Sequence, residues 1–350
     1  MTTRMTTTPL TTKPTVAVPS ALDAGRELLL PALRDAVRRH LGPEMARLAE
    51  YHLGWADSDG NPTSSRGGKL VRPALSLLSA RAAHGTAEDG VPAAVAVELV
   101  HNFSLLHDDI MDGDATRRGR RTAWTVFGVP PAILGGDAMV TAATSALLEA
   151  EAPGARSATA SLTAATQRMI NGQCSDLAFE QREDVTLEEC LRMAGDKTGA
   201  LLGCACSLGA DLLGAEPGLV DRLTAFGEHL GLAFQLVDDL LGVWGAPELT
   251  GKQVGADVRV RKKSLPIVAA LNAPGAQELR ALYFRTEPLD EDDVRRVTDL
   301  VERAGGREWA HAEADRQAAA ARRSLDFPGV PDGVRDELLD VAAFIVGRQS

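Results

Sequence analysis

A chain of 350 residues, 45% of them hydrophobic, can bury a large core, and with aromatics at only 4% that core must be built from Leu, Ala and Val. Its 37 basic and 48 acidic residues leave a net charge of −11, which argues against the basic surface of a general nucleic-acid binder. Any phosphate-bearing ligand must therefore be held by local cations or by metal.

Residues 1–20 are rich in Thr and Pro and carry no apolar run of the kind a secretory signal needs. They are predicted to form a disordered tail, either passive or a dock for a partner protein. Residues 21–350 read as one helical domain. ALDAGRELLLPALRDAVRRHL and MARLAEYHLGW repeat their apolar residues at the 3.6 period. DSDGNPTSSRGG is a loop, LVRPALSLLSARAAHG a helix stopped by Gly85, GTAEDGVP a connector, and AAVAVELVHNFSLLHDDIMDGD one long helix. ATRRGRRTAWTVFGVPP reads as a loop. From Ala132 helices follow, with breaks near Ala152–Gly154, Arg182–Thr186, Lys197–Gly199, Ala215–Gly218 and Gly245–Lys263, and a last set runs from about Asp290 to Val346. No segment alternates with period 2, so the predicted class is all-α, one bundle of about ten or more helices. No apolar run approaches the roughly 20 residues of a membrane span. Cys174, Cys190, Cys204 and Cys206 show neither CxxC nor zinc-ligand spacing. They are expected to be buried free thiols in a reducing cytoplasm.

The chemistry concentrates at two acidic helix ends. In HDDIMDGD, Asp108 and Asp112 are four apart and share a face, about 6 Å apart along the axis. Carboxylates that close repel unless a cation lies between them. They also stand at a helix C-terminus, where the macrodipole disfavours acids. Mg²⁺, which bridges one or two carboxylates to substrate phosphates, is the natural remedy. His101 falls on the same face about 10 Å upstream. The second cluster, FQLVDDLLG, places Asp238 and Asp239 at the end of another apolar helix, with Gln235 one turn before Asp239. Two such ends facing each other across a bundle would clamp a polyanion through metals.

Basic residues lie beside both clusters. Lys69 and Arg72 open a helix, a favourable place for a phosphate. Arg117 and Arg118 follow the first cluster, Lys197 and Thr198 lie at a helix break, and Lys252 and Lys262 occupy the loop after the second. Each alone is more often a solvated surface charge; their placement together is the signal.

The pieces GGKLVRP, ELVHNFSLLHDDIMDGDATRRG, NGQCSDL, DKTGAL, FQLVDDLLGVWG and TGKQVGADVRVRKKSLP, in this order over residues 67–266, resemble the trans-type polyprenyl (isoprenyl) diphosphate synthases. The resemblance implies the isoprenoid-synthase bundle with a central cavity, a homodimer, and condensation of isopentenyl diphosphate with an allylic diphosphate. By it, Lys69, Arg72, His101 and Arg118 hold the isopentenyl diphosphate. Arg117, Lys197, Thr198, Gln235, Lys252 and Lys262 surround the allylic diphosphate. Asp108, Asp112 and Asp238 carry three Mg²⁺ ions, with Asp109 and Asp239 counted beside them among the metal-site acids.

Three departures stand out. Gly242 replaces the last acid of the family's second DDxxD, Arg121 and Trp124 stand where Pro and His are common, and KKSLP replaces KKTLP. Competing readings are a terpene cyclase, a non-catalytic partner subunit and a helical scaffold. A cyclase needs no second diphosphate site, and a scaffold leaves the acidic faces unexplained. Phe103 and Ser104, five and four residues before Asp108, are candidates for the floor that limits chain length. That pair resembles synthases stopping at geranylgeranyl diphosphate, with farnesyl diphosphate the alternative.

Overall fold

The computed structural model describes residues 18–63, 68–246 and 253–347. Among these residues it has sixteen α-helices: α1 Ser20–His40, α2 Pro43–His52, α3 Val71–Ala82, α4 Val91–Met111, α5 Ala123–Phe127, α6 Val129–Leu148, α7 Ala155–Glu180, α8 Leu187–Ala194, α9 Ala200–Leu212, α10 Pro217–Trp244, α11 Ala256–Arg259, α12 Leu265–Leu271, α13 Gln277–Tyr283, α14 Glu291–Arg303, α15 Gly306–Ser324 and α16 Asp332–Val346. The first helix starts one residue before the predicted domain boundary; residues 1–17 of the expected tail lie outside the described residues.

The long helices α3, α4, α7, α9 and α10 form the centre. α4 packs on α3, α6 and α9, while α10 packs on α9 and α15. Leu75, Leu99, Leu106, Leu201 and Leu208 are buried between them. This is the Leu- and Ala-filled core that the shortage of aromatics required. A second core, with Leu236, Leu240, Leu265 and Met193, closes the bundle around the end of α10.

Four details depart from the sequence reading. The stretch after α4 is not a plain loop. Thr116–Arg117 pairs antiparallel with Arg120–Arg121, and Arg118 (φ 52°) and Gly119 (φ 74°) form the turn. Positive φ at both positions is the geometry a two-residue hairpin prefers. Strands of two residues are too short to show an alternating pattern. α6 begins at Val129 because Pro130 fits the first helical turn, where a missing N–H costs nothing. The expected break at Lys197–Gly199 is instead a π turn, Gly195–Gly199, joining α8 to α9 without interruption. Finally, α6 is long and apolar enough to cross a membrane by length and composition, at 20 residues and mean hydropathy 1.3. Its many Ala residues, with scattered Val, Ile, Leu and Met, raise the average without forming a pure Leu or Val run, and Asp137 sits in its middle. Its face Ala132, Gly135, Gly136, Met139 and Ala143 is buried in the bundle.

Candidate active site

α4 and α10 bring their acidic ends to one cavity of about 550 Å³. Asp108 comes from α4 and Asp238 from α10; Arg72, His101, Lys197, Thr198 and Gln235 also line it. Its apolar wall includes Phe103, Met169, Ile170, Leu177, Leu201 and Phe234. Beside it lies a polar cleft walled by Asp112, Asp114, Asp176, Lys197, Asp257 and Lys262. A charged mouth therefore leads into an apolar chamber of ligand size.

The five expected metal-site acids divide in two. Asp108, Asp112 and Asp238 border the cavity or the cleft. Asp109 and Asp239 are buried and already bound by protein donors. Arg117 Nε reaches Asp109 Oδ1 at 2.6 Å. Leu265 N and Gln235 Nε2 each donate to Asp239 at 2.9 Å, and Lys262 Nζ stands 3.9 Å away. These two acids fix the neighbouring cations and the loop, and leave the open positions to the other three. Burial pushes the Asp108 carboxyl up to about 6; Lys197 opposes the rise, and Asp112 and Asp109 add to it. Asp112 is raised as well, first by burial and then by Asp114 and Asp176 against the pull of Lys197. Among the described residues no three acid, imidazole or thiolate groups converge into a ready-made cage.

The π turn aims Lys197 and Thr198 at this mouth. Lys197 Nζ pairs with Asp176 at 2.6 Å, and Thr198 donates to Gln235 Oε1 at 2.7 Å. α7 reaches the turn so closely that a Cβ on Gly172 would lie 2.4 Å from Lys197 N. Only glycine permits that approach.

Two of the expected isopentenyl cations, Arg72 and Arg118, act on His101. Arg72 Nη1 is 3.5 Å from His101 Nε2. Burial, then Arg72 and Arg118, holds the His101 imidazole well below its usual range, so it is neutral. Arg118 lies against Gly68, where an added Cβ would be 3.0 Å from its guanidinium. Lys69 is exposed, with Nζ 5.7 Å above the Phe344 ring of α16, so the structure does not bring it to the cavity wall with Arg72 and His101. Arg117 does not line the large cavity. With Arg118, Arg120, Arg121, Tyr51 and His52 it lines a separate basic cleft of about 220 Å³. Lys252 lies outside the described residues. The exceptional Trp124 donates its indole N–H to Asp114 O at 2.8 Å, and Arg121 donates to Thr125 O at 2.5 Å. Both departures therefore brace the loop.

Several site residues carried no role in the sequence reading. Asp176 was visible only as an acid in NGQCSDL, and Tyr51 and His52 sit on α2 without a motif. Cys174, expected to be buried, is exposed and lines the cavity; the other three thiols are buried, and all four are free. Phe103 and Ser104 both line the cavity, with the Phe103 ring edge-on to His107 at 4.8 Å.

Residues 59–301 match the family described as Polyprenyl synthetase. The chain is 44% identical over 334 residues to a (2E,6E)-farnesyl diphosphate synthase of Mycobacterium tuberculosis, covering 94% of this chain and 93% of that one. It is also 44% identical over 324 residues to a geranylgeranyl diphosphate synthase of the same organism, covering 91% of each. A crystal structure of a polyprenyl synthetase from Streptomyces coelicolor A3(2) superposes with a TM-score of 0.88 at 50% identity, covering 93% of this chain and 99% of that one.

Proposed function

The chain belongs to the polyprenyl synthetase family and is a prenyltransferase of the short-chain prenyl diphosphate synthase group; on that premise we propose that it condenses isopentenyl diphosphate with an allylic diphosphate, giving geranylgeranyl diphosphate as its main product. One juxtaposition carries this reading: Asp108 and Asp238, from two different helix ends, border the same cavity as an apolar wall of Phe103, Met169, Leu177 and Phe234.

Asp108, Asp112 and Asp238 form the donor set for Mg²⁺, three ions in all. When bound, these ions supply the charge that neutralises a departing diphosphate. Lys197 and Lys262 bring further positive charge to that diphosphate, and Thr198 and Gln235 position it. Lys252 belongs to the same set by family likeness. Arg72, Arg118 and Lys69 hold the second diphosphate, and neutral His101 offers it a hydrogen bond rather than a charge. Arg117, locked to Asp109, fixes the end of α4. The allylic C–O bond breaks, the double bond of isopentenyl diphosphate forms the new C–C bond, and the lost proton passes to the departed diphosphate. The apolar wall keeps water from the allylic cation in the interval.

A homodimer fits the exposed apolar residues Met111, Val129, Ile133, Leu134 and Ile170 of α4, α6 and α7. Four free cysteines suit a cytoplasmic location. A farnesyl product is the second reading, favoured by the equal identity to a farnesyl diphosphate synthase. The test is turnover with isopentenyl diphosphate and each allylic primer, followed by dephosphorylation and chromatography of the alcohols. Geranylgeraniol as the main alcohol is expected; farnesol selects the second reading. No extension with any primer would overturn the function.

A further inference from the structure

Lys197 and Thr198 stand on the π turn, a conformation that rarely persists without support from its neighbours. Two helices support it through glycine. Gly172 of α7 lies against Lys197 N, and on the other side a Cβ on Gly231 of α10 would be 2.7 Å from Gly199 Cα and 3.3 Å from Thr198 O. These contacts fix how deep the turn sits between α7 and α10. Lacking side chains, they do little to fix its rotation.

Arg168 supplies a direction from outside. It stands on α7 one turn before Gly172, where its Nε donates to Asp196 Oδ1 at 2.9 Å and its Nη1 to Glu228 Oε1 of α10. Asp196 is the residue before Lys197. Glu228 lies against the far end of the turn, for a Cβ on Gly199 would be 3.4 Å from Glu228 O. One planar guanidinium thus spans the turn and joins α7, the turn and α10 at fixed angles. All three side chains are partly exposed, so the ion pairs add little to stability, and their consequence is geometric. Arg168 lines neither the cavity nor the acidic cleft.

Resting on the synthase reading, we infer that Arg168, with Asp196 and Glu228, is a positioning residue that sets the rotation of the π turn and so aims Lys197 and Thr198 at the allylic diphosphate. Lys197 is then held from α7 at two points, its backbone neighbour by Arg168 and its ammonium by Asp176. A diphosphate competes with Asp176 for the ammonium, whereas the Arg168 strap lies outside the site and stays in place.

The test is binding in the full-length protein. Titration calorimetry in saturating Mg²⁺ measures geranyl diphosphate and isopentenyl diphosphate separately, and thermal melting checks folding. Arg168→Gln is expected to weaken geranyl diphosphate about fivefold or more, with isopentenyl diphosphate within about twofold and melting like the wild type. Arg168→Lys keeps the charge and loses the fork, and is expected to stay impaired, which separates orientation from a long-range field. Added to Lys197→Ala and Thr198→Ala, Arg168→Gln is expected to cost less than about twofold more, because Arg168 acts through those two residues. Equal weakening of both diphosphates, full affinity in Arg168→Lys, or an undiminished loss in the combined variant would overturn the inference. Should Arg168→Gln fail to fold, Asp196→Asn removes one arm of the strap and decides by the same split. Wild-type turnover is assayed in parallel. An active wild type whose Arg168→Gln variant binds both diphosphates as tightly overturns the strap and leaves the synthase reading standing. An inactive wild type whose Arg168→Gln variant still loses geranyl diphosphate does the reverse.

Discussion

Two helices in this fold end in paired aspartates, and the pairs share one layout: the first acid borders the cavity, while the second is buried and held by a protein donor. They differ in what finishes them. α4 ends with more acid, Asp112 and then Asp114, and its nearest cation, Arg117, is spent on Asp109. α10 ends with Gly242 and a returning loop that brings Lys262 to within 3.9 Å of Asp239 and Leu265 N to its other oxygen. The first end is finished by further acids, and the second is largely braced by its own chain. Similar sequence motifs are thus completed differently, although the first acid of each, Asp108 and Asp238, borders the same cavity.

The largest expected effect separates the two ends. Asp108→Asn should lower kcat by about three orders of magnitude or more, through lost transition-state charge stabilisation. It should also raise the melting temperature of the metal-free protein at pH 7. The sign follows from the Asp108 carboxyl at about 6 against an ordinary 3.8. The folded state binds this proton more tightly than the unfolded state, so ionisation costs stability as pH rises through 4 to 6. The full cost at pH 7 is at most about 3 kcal/mol. Melting wild type and variant in chelator from pH 4 to pH 8 checks it, and the two curves should converge at the acid end. A variant less stable at pH 7 would break the contrast.

Asp239→Ala should do the reverse, destabilising the fold by about 2 kcal/mol, because Leu265 N–H and Gln235 lose a buried acceptor. Denaturant unfolding measures this, and a neutral result would mean that the second end is not braced as described. Arg72→Ala should raise the KM for isopentenyl diphosphate about tenfold and leave the allylic KM unchanged. Initial-rate kinetics varying each substrate would show whether the second diphosphate depends on either acidic end. The smallest effect is on product length. Phe103→Ala should lengthen the main product by an isoprene unit, and Ser104→Phe should shorten it, as read by chromatography. An unchanged distribution in both would place the floor elsewhere on the cavity wall.

Much of this was legible in the chain because both aspartate clusters sit on strongly periodic helices. The shared face of Asp108 and Asp112 follows from 3.6 residues per turn, and so does the placement of Gln235 one turn from Asp239. Contacts between distant segments were not legible. Asp176 meets Lys197 across 21 residues, and Tyr51 meets the 116–121 hairpin across 70. Met169, Ile170 and Leu177 join the cavity only because Gly172 lets α7 approach so closely.

The π turn at Gly195–Gly199 gives this site an unusual dependence on chain length. An α-helix advances about 100° per residue, and a π turn holds one residue more than the α turn it replaces. The helix 187–212 is therefore two α-helical stretches set out of phase, with Lys197 and Thr198 at the seam. Deleting any one residue of the seam would let the hydrogen bonds close into a regular spiral. Everything on one side would then rotate by about 100°, carrying either the buried face of α8 or that of α9 away from its neighbours. This helix could tolerate many changes of side chain and still be undone by a single change of count.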